Sequence, residues 1–593
     1  MARVAGIGIQ DFSRIIENNC FYADKTAFIR EWWENQDTVT LITRPRRFGK
    51  TLAVNMLECF FSVRYAGRKD LFEHLAIWNQ EAYRSLQGTY PVISLSFANV
   101  KAESFQAARE SIFQELSDLY NQHAFLAESS RLTGREKELF WKVKEEMSDM
   151  TAARSLMRLS AFLYKYYGKR AIILLDEYDT PMQEAYVNGY WQKLAEFMRK
   201  FMNSTFKTNP YLERGLMTGI TRISRESVFS DLNNLVVVTT TTKLYETAFG
   251  FTEQEVRCAL EEFGLQNEMD GVKRWYDGFR FGDMENIYNP WSILNFLKFR
   301  EYQPYWANTS SNRLIGSLIQ KSSPDVKMAM EGLLNGTLFR TCMDEQIVYD
   351  QLEQDEHAVW SLLLASGYLK AAGFLQRPDG RPEYVLDIVN LEVLQMFEEM
   401  FAQWFAACSS DYNGFIQSLF CNDTDGMNLY MNRLSCAAVS SFDSGKKPSG
   451  QAQPERFYHG LVLGMMLALN GRYVLTSNRE SGRGRYDVML EPKNRADDGI
   501  IFEFKVSDTA KEKRLSDTAD AAIRQILDKN YAQVLEKTCR KNQIRIYGFA
   551  FSGKDVLIRG GYLSEFQKAA ARPNKCQQKR IGYNKEMQSG GSI

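Results

Sequence analysis

Leu41-Ile42-Thr43-Arg44-Pro45-Arg46-Arg47-Phe48-Gly49-Lys50-Thr51 runs from an apolar strand through a basic loop into Gly-Lys-Thr, and the residues that follow have the character of a helix. A strand, loop and helix in this order can cradle a nucleoside triphosphate. Backbone N–H groups and the helix N-terminus point at the phosphates, a lysine neutralises them, and a Ser/Thr hydroxyl holds Mg²⁺. Lys50 and Thr51 take the last two roles, and Arg46, Arg47, Phe48 and Gly49 supply the loop. The usual glycine five residues before Gly49 is replaced by Arg44, with Pro45 behind it. Taken alone, the stretch is equally compatible with a helix N-terminus whose Lys50 is a solvated charge.

The second half of such a site lies far along the chain. Ala171-Ile172-Ile173-Leu174-Leu175-Asp176-Glu177 is an apolar run closed by two acids, the pattern of a buried parallel strand at its carboxyl end, where open α/β sheets bind ligands. Asp176 is expected to hold Mg²⁺, directly or through water. Glu177 is expected to orient and deprotonate the attacking water. Further strands are expected at 91–97 and 214–220, separated by helices near 105–121, 152–167 and 191–205, and the pieces at 11–18 and 24–35 precede the 38–43 strand. This alternation predicts a parallel sheet covered by helices. The 214–220 strand ends in Thr218, Thr221, Arg222 and Arg225, candidate sensors of a γ-phosphate, and capping or solvation would explain them equally well.

From Thr252-Glu253-Gln254-Glu255, a capping-box pattern, the texture turns helical. Aromatic and turn residues crowd 274–312, which reads as a helical lid packed on the core. Residues 327–440 follow as helices with a short strand near 384–388, and the Ser-, Gly-, Lys- and Pro-bearing stretch 444–454 reads as a linker.

Beyond it, Arg485-Tyr486-Asp487-Val488-Met489-Leu490 and Ile500-Ile501-Phe502-Glu503-Phe504-Lys505-Val506 form a second constellation. Strand alternation puts Glu503 and Lys505 on one face and Phe502, Phe504 and Val506 on the other. If the two runs pair as a hairpin, Asp487 comes alongside Glu503. Two carboxylates then offer a site to a hard divalent cation, with Lys505 beside the same water. Such a site activates water against a phosphodiester. Cross-strand ion pairs are the plainer alternative. Glu455 and Gln525 are supporting candidates, and Glu480, Arg483 and Arg485 could steer a phosphate backbone.

The chain has 593 residues, too many for one core. Lys plus Arg and Asp plus Glu stand at 73 each, so no global field marks a nucleic-acid partner and any basic surface is local. Hydrophobic residues at 45 % exclude a largely disordered chain. Nine cysteines without a C-x-x-C pair suit buried, reduced thiols. The apolar run at Val4–Ile9 is too brief for a signal-peptide core, and Leu461–Leu469 is far short of the roughly 20 residues of a membrane span. These features predict a cytoplasmic protein with no membrane partner.

Six stretches together carry a resemblance: Tyr22-Ala23-Asp24-Lys25-Thr26, the loop Arg44 to Thr51, Asp176-Glu177-Tyr178-Asp179, Thr218-Gly219-Ile220-Thr221-Arg222-Ile223-Ser224, Trp275-Tyr276-Asp277-Gly278 and Tyr288-Asn289-Pro290-Trp291. With them the chain resembles the bacterial AAA-ATPase-like family that carries a C-terminal PD-(D/E)XK nuclease-superfamily domain, over most of residues 8–560. An arginine-bearing P-loop is usual there. The resemblance implies an α/β chain in which a P-loop NTPase parallel sheet with a helical lid is followed by a smaller α/β restriction-endonuclease-like domain. The expected limits are 1–250 for the P-loop domain, 251–345 for the lid, 346–443 for a helical connection, 455–560 for the nuclease-like domain and 572–593 for a disordered basic tail.

Its implied partners are ATP, Mg²⁺ and DNA, with defence or mobile-element control as the setting. The catalytic candidates are Glu177, Asp487, Glu503 and Lys505; Thr51, Asp176, Asp487 and Glu503 are the metal candidates. A regulatory ATPase whose last domain binds nucleic acid or protein without cleavage is the alternative. Arg222 or Arg225 reaching a neighbouring subunit's ATP would require a homo-oligomer.

Overall fold

A computed structural model describes residues 3–223, 232–307, 324–334, 336–343, 356–377, 382–404, 409–442, 484–507, 514–552 and 555–570 without interruption, and shorter stretches between them. Expectations placed on Arg225, Glu455, the linker 444–454, Arg483 and the tail 572–593 fall outside the described residues.

The chain forms two compact units, residues 1–322 with 329–396, and residues 323–328 with 397–593. The first is built on β1 (Val39–Thr43), β2 (Val92–Ser96), β3 (Ala171–Asp176), β4 (Leu212–Gly219) and β5 (Leu235–Val238), all parallel, in the order β2-β3-β4-β1-β5. Every residue of β1 and β3 is buried, as a sheet covered on both faces requires. The register sets Thr43 beside Gly219 and Ser96 beside Asp176, so the carboxyl ends of β1, β3 and β4 meet at one edge. The α/β class expected from the alternation is the one observed.

The elements differ from expectation in several places. β5 had no counterpart in the sequence reading. The helical piece expected from residue 24 starts later: the Asp24 carboxylate accepts the Thr26 N–H at 2.9 Å and the helix Ala27–Glu34 begins after Thr26. The capping box at Thr252 and Glu255 forms as expected, opening the helix Glu253–Glu262. The stretch expected as a purely helical lid also holds a small antiparallel sheet of β6 (Phe251–Thr252), β7 (Phe279–Phe281) and β8 (Met284–Tyr288), in the order β6-β8-β7. A second antiparallel sheet combines β9 (Phe339–Cys342), β10 (Leu369–Gln376) and β11 (Pro382–Ile388) where one short strand was expected.

The second unit contains β12 (Tyr473–Ser477), the short pair β13 (Glu480–Ser481) and β14 (Gly484–Arg485), β15 (Val488–Pro492), β16 (Gly499–Val506), β17 (Ile544–Ser552) and β18 (Asp555–Tyr562). Its five-stranded sheet runs β12-β15-β16-β17-β18 and is mixed, since only β16 and β17 are parallel. One face packs Phe502, Phe504 and Phe549 with Phe415, Met427 and Met431. The other packs Met489, Ile501 and Ile546 with Ile523 and Ile526 of the helix Leu515–Lys529. Among the described cysteines Cys20, Cys59 and Cys539 are buried thiols as expected, whereas Cys258 and Cys421 are exposed. No helix among the described residues is long and apolar enough to cross a membrane.

Candidate functional site

The loop between β1 and the helix Lys50–Phe61 closes on Gly49, which takes φ +83° at the helix N-cap, a conformation glycine adopts without steric cost. Arg47 is also left-handed, at φ +65°, and so is Glu177 directly after β3, at φ +51°. Non-glycine residues held there cost about 1–3 kcal/mol and gather at functional sites. A cavity of about 670 Å³ opens above this loop. Arg46, Arg47, Gly49, Lys50, Thr51 and Glu177 line it together with the apolar or aromatic Phe21, Tyr22, Phe251, Trp291 and Leu294. Charged groups suited to phosphates and apolar surface suited to a flat base thus share one cavity.

Lys50 is nearly buried, and its ammonium donates to the carbonyls of Arg44 at 2.9 Å and Pro45 at 2.8 Å. Burial lowers its pKa to about 8, against the opposing pull of Asp176, Glu177 and Asp179. Thr51 Oγ1 donates to Asp176 Oδ2 at 2.7 Å, and the Thr218 hydroxyl donates to the other oxygen of the same carboxylate. Burial raises the pKa of Asp176, while the two hydroxyls pull it back. A threonine hydroxyl beside a buried carboxylate is a hard-oxygen donor set that fits Mg²⁺, which binds one or two carboxylates together with phosphates. Phe48 is buried edge-on against Phe279, with ring centres 4.7 Å apart, which leaves its main chain to face the cradle. The Arg47 guanidinium stands 4.3 Å from the centre of the Trp291 ring.

Arg44, in the place of the missing glycine, is fully buried and does not line the cavity. Its guanidinium donates to the carbonyls of Thr43 at 2.9 Å and Thr239 at 2.7 Å and sits 4.5 Å from the Phe281 ring centre. It braces the ends of β1 and β5, and burial lowers its pKa to about 9. Arg222 is set apart from the other candidates. Thr221 bonds Asp179 and the Ile223 N–H bonds the Tyr178 hydroxyl on either side of it. Arg222 lines a separate small cavity with Thr43, Thr239 and Thr240 and is not among the residues lining the larger one.

Asp179 and Asn289, quoted above only as parts of the resemblance, and Trp306, not singled out at all, take roles that the sequence reading did not assign. Asp179 Oδ2 accepts the N–H groups of Ile220 at 3.0 Å and Thr221 at 2.8 Å, fixing the turn after β3 to the end of β4. Asn289 and Trp306 both donate to the Arg46 carbonyl.

In the second unit the antiparallel register pairs Val488 with Phe502 and Met489 with Ile501, which brings Asp487 opposite Glu503. Asp487 Oδ2 accepts the Phe504 N–H at 2.7 Å. Glu503 is 2 % exposed and accepts a hydrogen bond from the Gln525 side-chain amide. The Lys505 ammonium donates to the carbonyl oxygen of that same amide at 2.7 Å. Gln525 also donates to the Tyr531 hydroxyl at 3.2 Å. Burial raises the pKa of Tyr531, the Gln525 hydrogen bond pulls it back, and the charges of Glu503 and Asp487 add to the rise. The hairpin, the two carboxylates, the lysine and the helix amide of the sequence reading therefore meet. Two carboxylate groups again form a hard-oxygen set that fits Mg²⁺. Among the described residues no group of three or more His, Cys, Asp or Glu side chains gathers in this way.

Residues 6–229 match the family model of a predicted AAA-ATPase, and residues 453–560 match that of the PD-(D/E)XK nuclease superfamily. Over 558 residues, 92 % of this chain and 96 % of the relative, the chain is 25 % identical to a protein of Azotobacter chroococcum mcd 1 named "Uncharacterized protein in vnfD 5'region".

Proposed function

We propose that this chain, which carries an AAA-ATPase-like domain followed by a PD-(D/E)XK nuclease-superfamily domain, is an ATP-hydrolysing switch governing a Mg²⁺-dependent phosphodiesterase that acts on DNA. The observation that carries the reading is the opposition of Asp487 to Glu503 with Lys505 two residues on, in a chain that also pairs Thr51, next to the buried Lys50, with Asp176. In the first domain Lys50, Arg46 and Arg47 bind phosphate oxygens, releasing Lys50 from the loop carbonyls. Glu177 orients the attacking water and accepts its proton. Thr51 and Asp176 would hold one Mg²⁺ and Asp487 and Glu503 another, supplying charge neutralisation at phosphate oxygens and polarisation of the scissile phosphate. Lys505 orients water or stabilises developing charge, and Gln525 holds Lys505 beside Glu503.

Lys50→Ala is expected to abolish nucleotide binding. Lys505→Ala is expected to abolish Mg²⁺-dependent cutting of supercoiled, linear or single-stranded DNA while leaving nucleotide binding intact. Cleavage that persists unchanged in Lys505→Ala would sink the assigned site. Because Gln525 engages both Glu503 and Lys505, a domain that binds nucleic acid without cutting is the second reading, and retained DNA binding with no cleavage under Mg²⁺ or Mn²⁺ would favour it.

A further inference from the structure

Without a glycine at residue 44, the direction of the peptide groups between Arg44 and Gly49 must be fixed by other means. Two donors converge on one atom of this loop. The Asn289 side-chain amide at 3.3 Å and the Trp306 indole N–H at 3.0 Å both donate to the carbonyl oxygen of Arg46. In a trans peptide the C=O and the following N–H point in opposite directions, and no cis peptide occurs among the described residues. A carbonyl held by Asn289 and Trp306 therefore sends the Arg47 N–H the other way. Arg47 needs the restraint, since its φ of +65° is one that side-chain-bearing residues seldom hold unsupported.

The two donors are themselves locked to one buried carboxylate. Glu392 is fully buried at the start of the helix Leu391–Trp404. It accepts the Trp306 main-chain N–H, the Ala307 N–H at 3.4 Å and the Ser292 hydroxyl at 2.9 Å. Ser292 belongs to the helix Pro290–Phe299, whose N-cap is Asn289. One side chain thus ties together the segment bearing the indole and the helix bearing the amide. The Trp306 ring is further fixed edge-on against Phe279, with centres 5.8 Å apart.

We propose that Asn289 and Trp306, locked by Glu392, are positioning residues that aim the Arg47 N–H at the phosphates of the bound nucleotide. This rests on the nucleotide reading of the cavity, and its test separates the two.

The experiment measures the affinity of the full chain for ADP with Mg²⁺ and, by competition, for adenosine. Trp306→Phe keeps the ring and removes the N–H; Asn289→Ser keeps a helix cap and removes the amide. Each is expected to weaken ADP about tenfold, the loss of about one hydrogen bond, with adenosine moved less than about twofold. Glu392→Ala is expected to weaken ADP to a similar degree. Glu392→Gln, which still accepts the two N–H groups and can donate to Ser292, is expected to restore it. Unchanged ADP affinity in both Trp306→Phe and Asn289→Ser overturns the proposal, and so does equal weakening of ADP and adenosine, the signature of a loosened site. Wild-type chain that binds neither ADP nor ATP overturns the nucleotide reading itself and this proposal with it.

Discussion

Lys50, bonded to the carbonyls of Arg44 and Pro45, spends its ammonium on its own loop, and burial leaves its pKa at about 8 against an ordinary 10.5. Phosphates in the cavity favour the charged form, so above about pH 8 binding must take up a proton. The expected outcome is an ADP affinity that is flat below about pH 8 and falls towards about tenfold per pH unit above it, read by calorimetry in buffers of different ionisation enthalpy. Folding stability moves in the opposite sense. Between about pH 8 and 10.5 the unfolded lysine binds a proton that the folded one lacks, so this group's contribution to stability rises with pH there. At this scale Lys50 and Thr51 were legible from Gly-Lys-Thr at a strand-to-helix turn, and Asp176 and Glu177 because they are acids ending an apolar run. Asp487, Glu503 and Lys505 were legible because strand alternation fixes which side chains share a face. Asn289, Trp306 and Glu392 were not, since their roles exist only through contacts across 243 and 260 residues to the loop and 86 to each other. No local pattern records such a contact.

Among the elements, the helix Leu515–Lys529 decides the geometry of the second site, because it delivers Gln525 to β16. It can approach only because Gly548, the register partner of Glu503 on β17, has no side chain. A Cβ there would lie 2.5 Å from the Ala519 carbonyl oxygen and 2.9 Å from Ala522 Cβ. Gly548→Val is expected to push the helix outward at a cost of about 1–3 kcal/mol and to cut nuclease activity by more than the stability loss explains. Thermal melts beside cleavage assays check it. The hairpin was legible, from apolar runs around a polar turn. The sheet β6-β8-β7 was not, since strands of two to five residues carry too few alternations to stand out. Phe279-Arg280-Phe281, with both phenylalanines buried against Phe48, was the one available signal.

For the whole molecule, division into two compact units predicts two unfolding transitions in calorimetry. ADP with Mg²⁺ at about 100 times its Kd is expected to stabilise the transition of the first unit by about 2.7 kcal/mol. Any accompanying shift of the second transition measures the coupling that a switch requires, and Lys50→Ala should remove both shifts. The sequence reading set separate domains at the two ends because each end carries its own polar constellation on its own apolar strands. The split within the chain at residues 322–329 and 396–397 was not legible, because it depends on which distant helices pack together. The order of the parallel sheet has a further consequence in time. β1 has both its neighbours, β4 and β5, between residues 212 and 238, and the donors to the Arg46 carbonyl are completed only with Trp306 and its anchor Glu392. Growing from its amino end, the polypeptide displays Lys50 long before anything can seat it. Once Glu392 has emerged from the ribosome, every residue assigned to the nucleotide cradle has been made, while the first strand of the other sheet, at Tyr473, has not. Translation thus completes the cradle of the first unit before it reaches the sheet of the second.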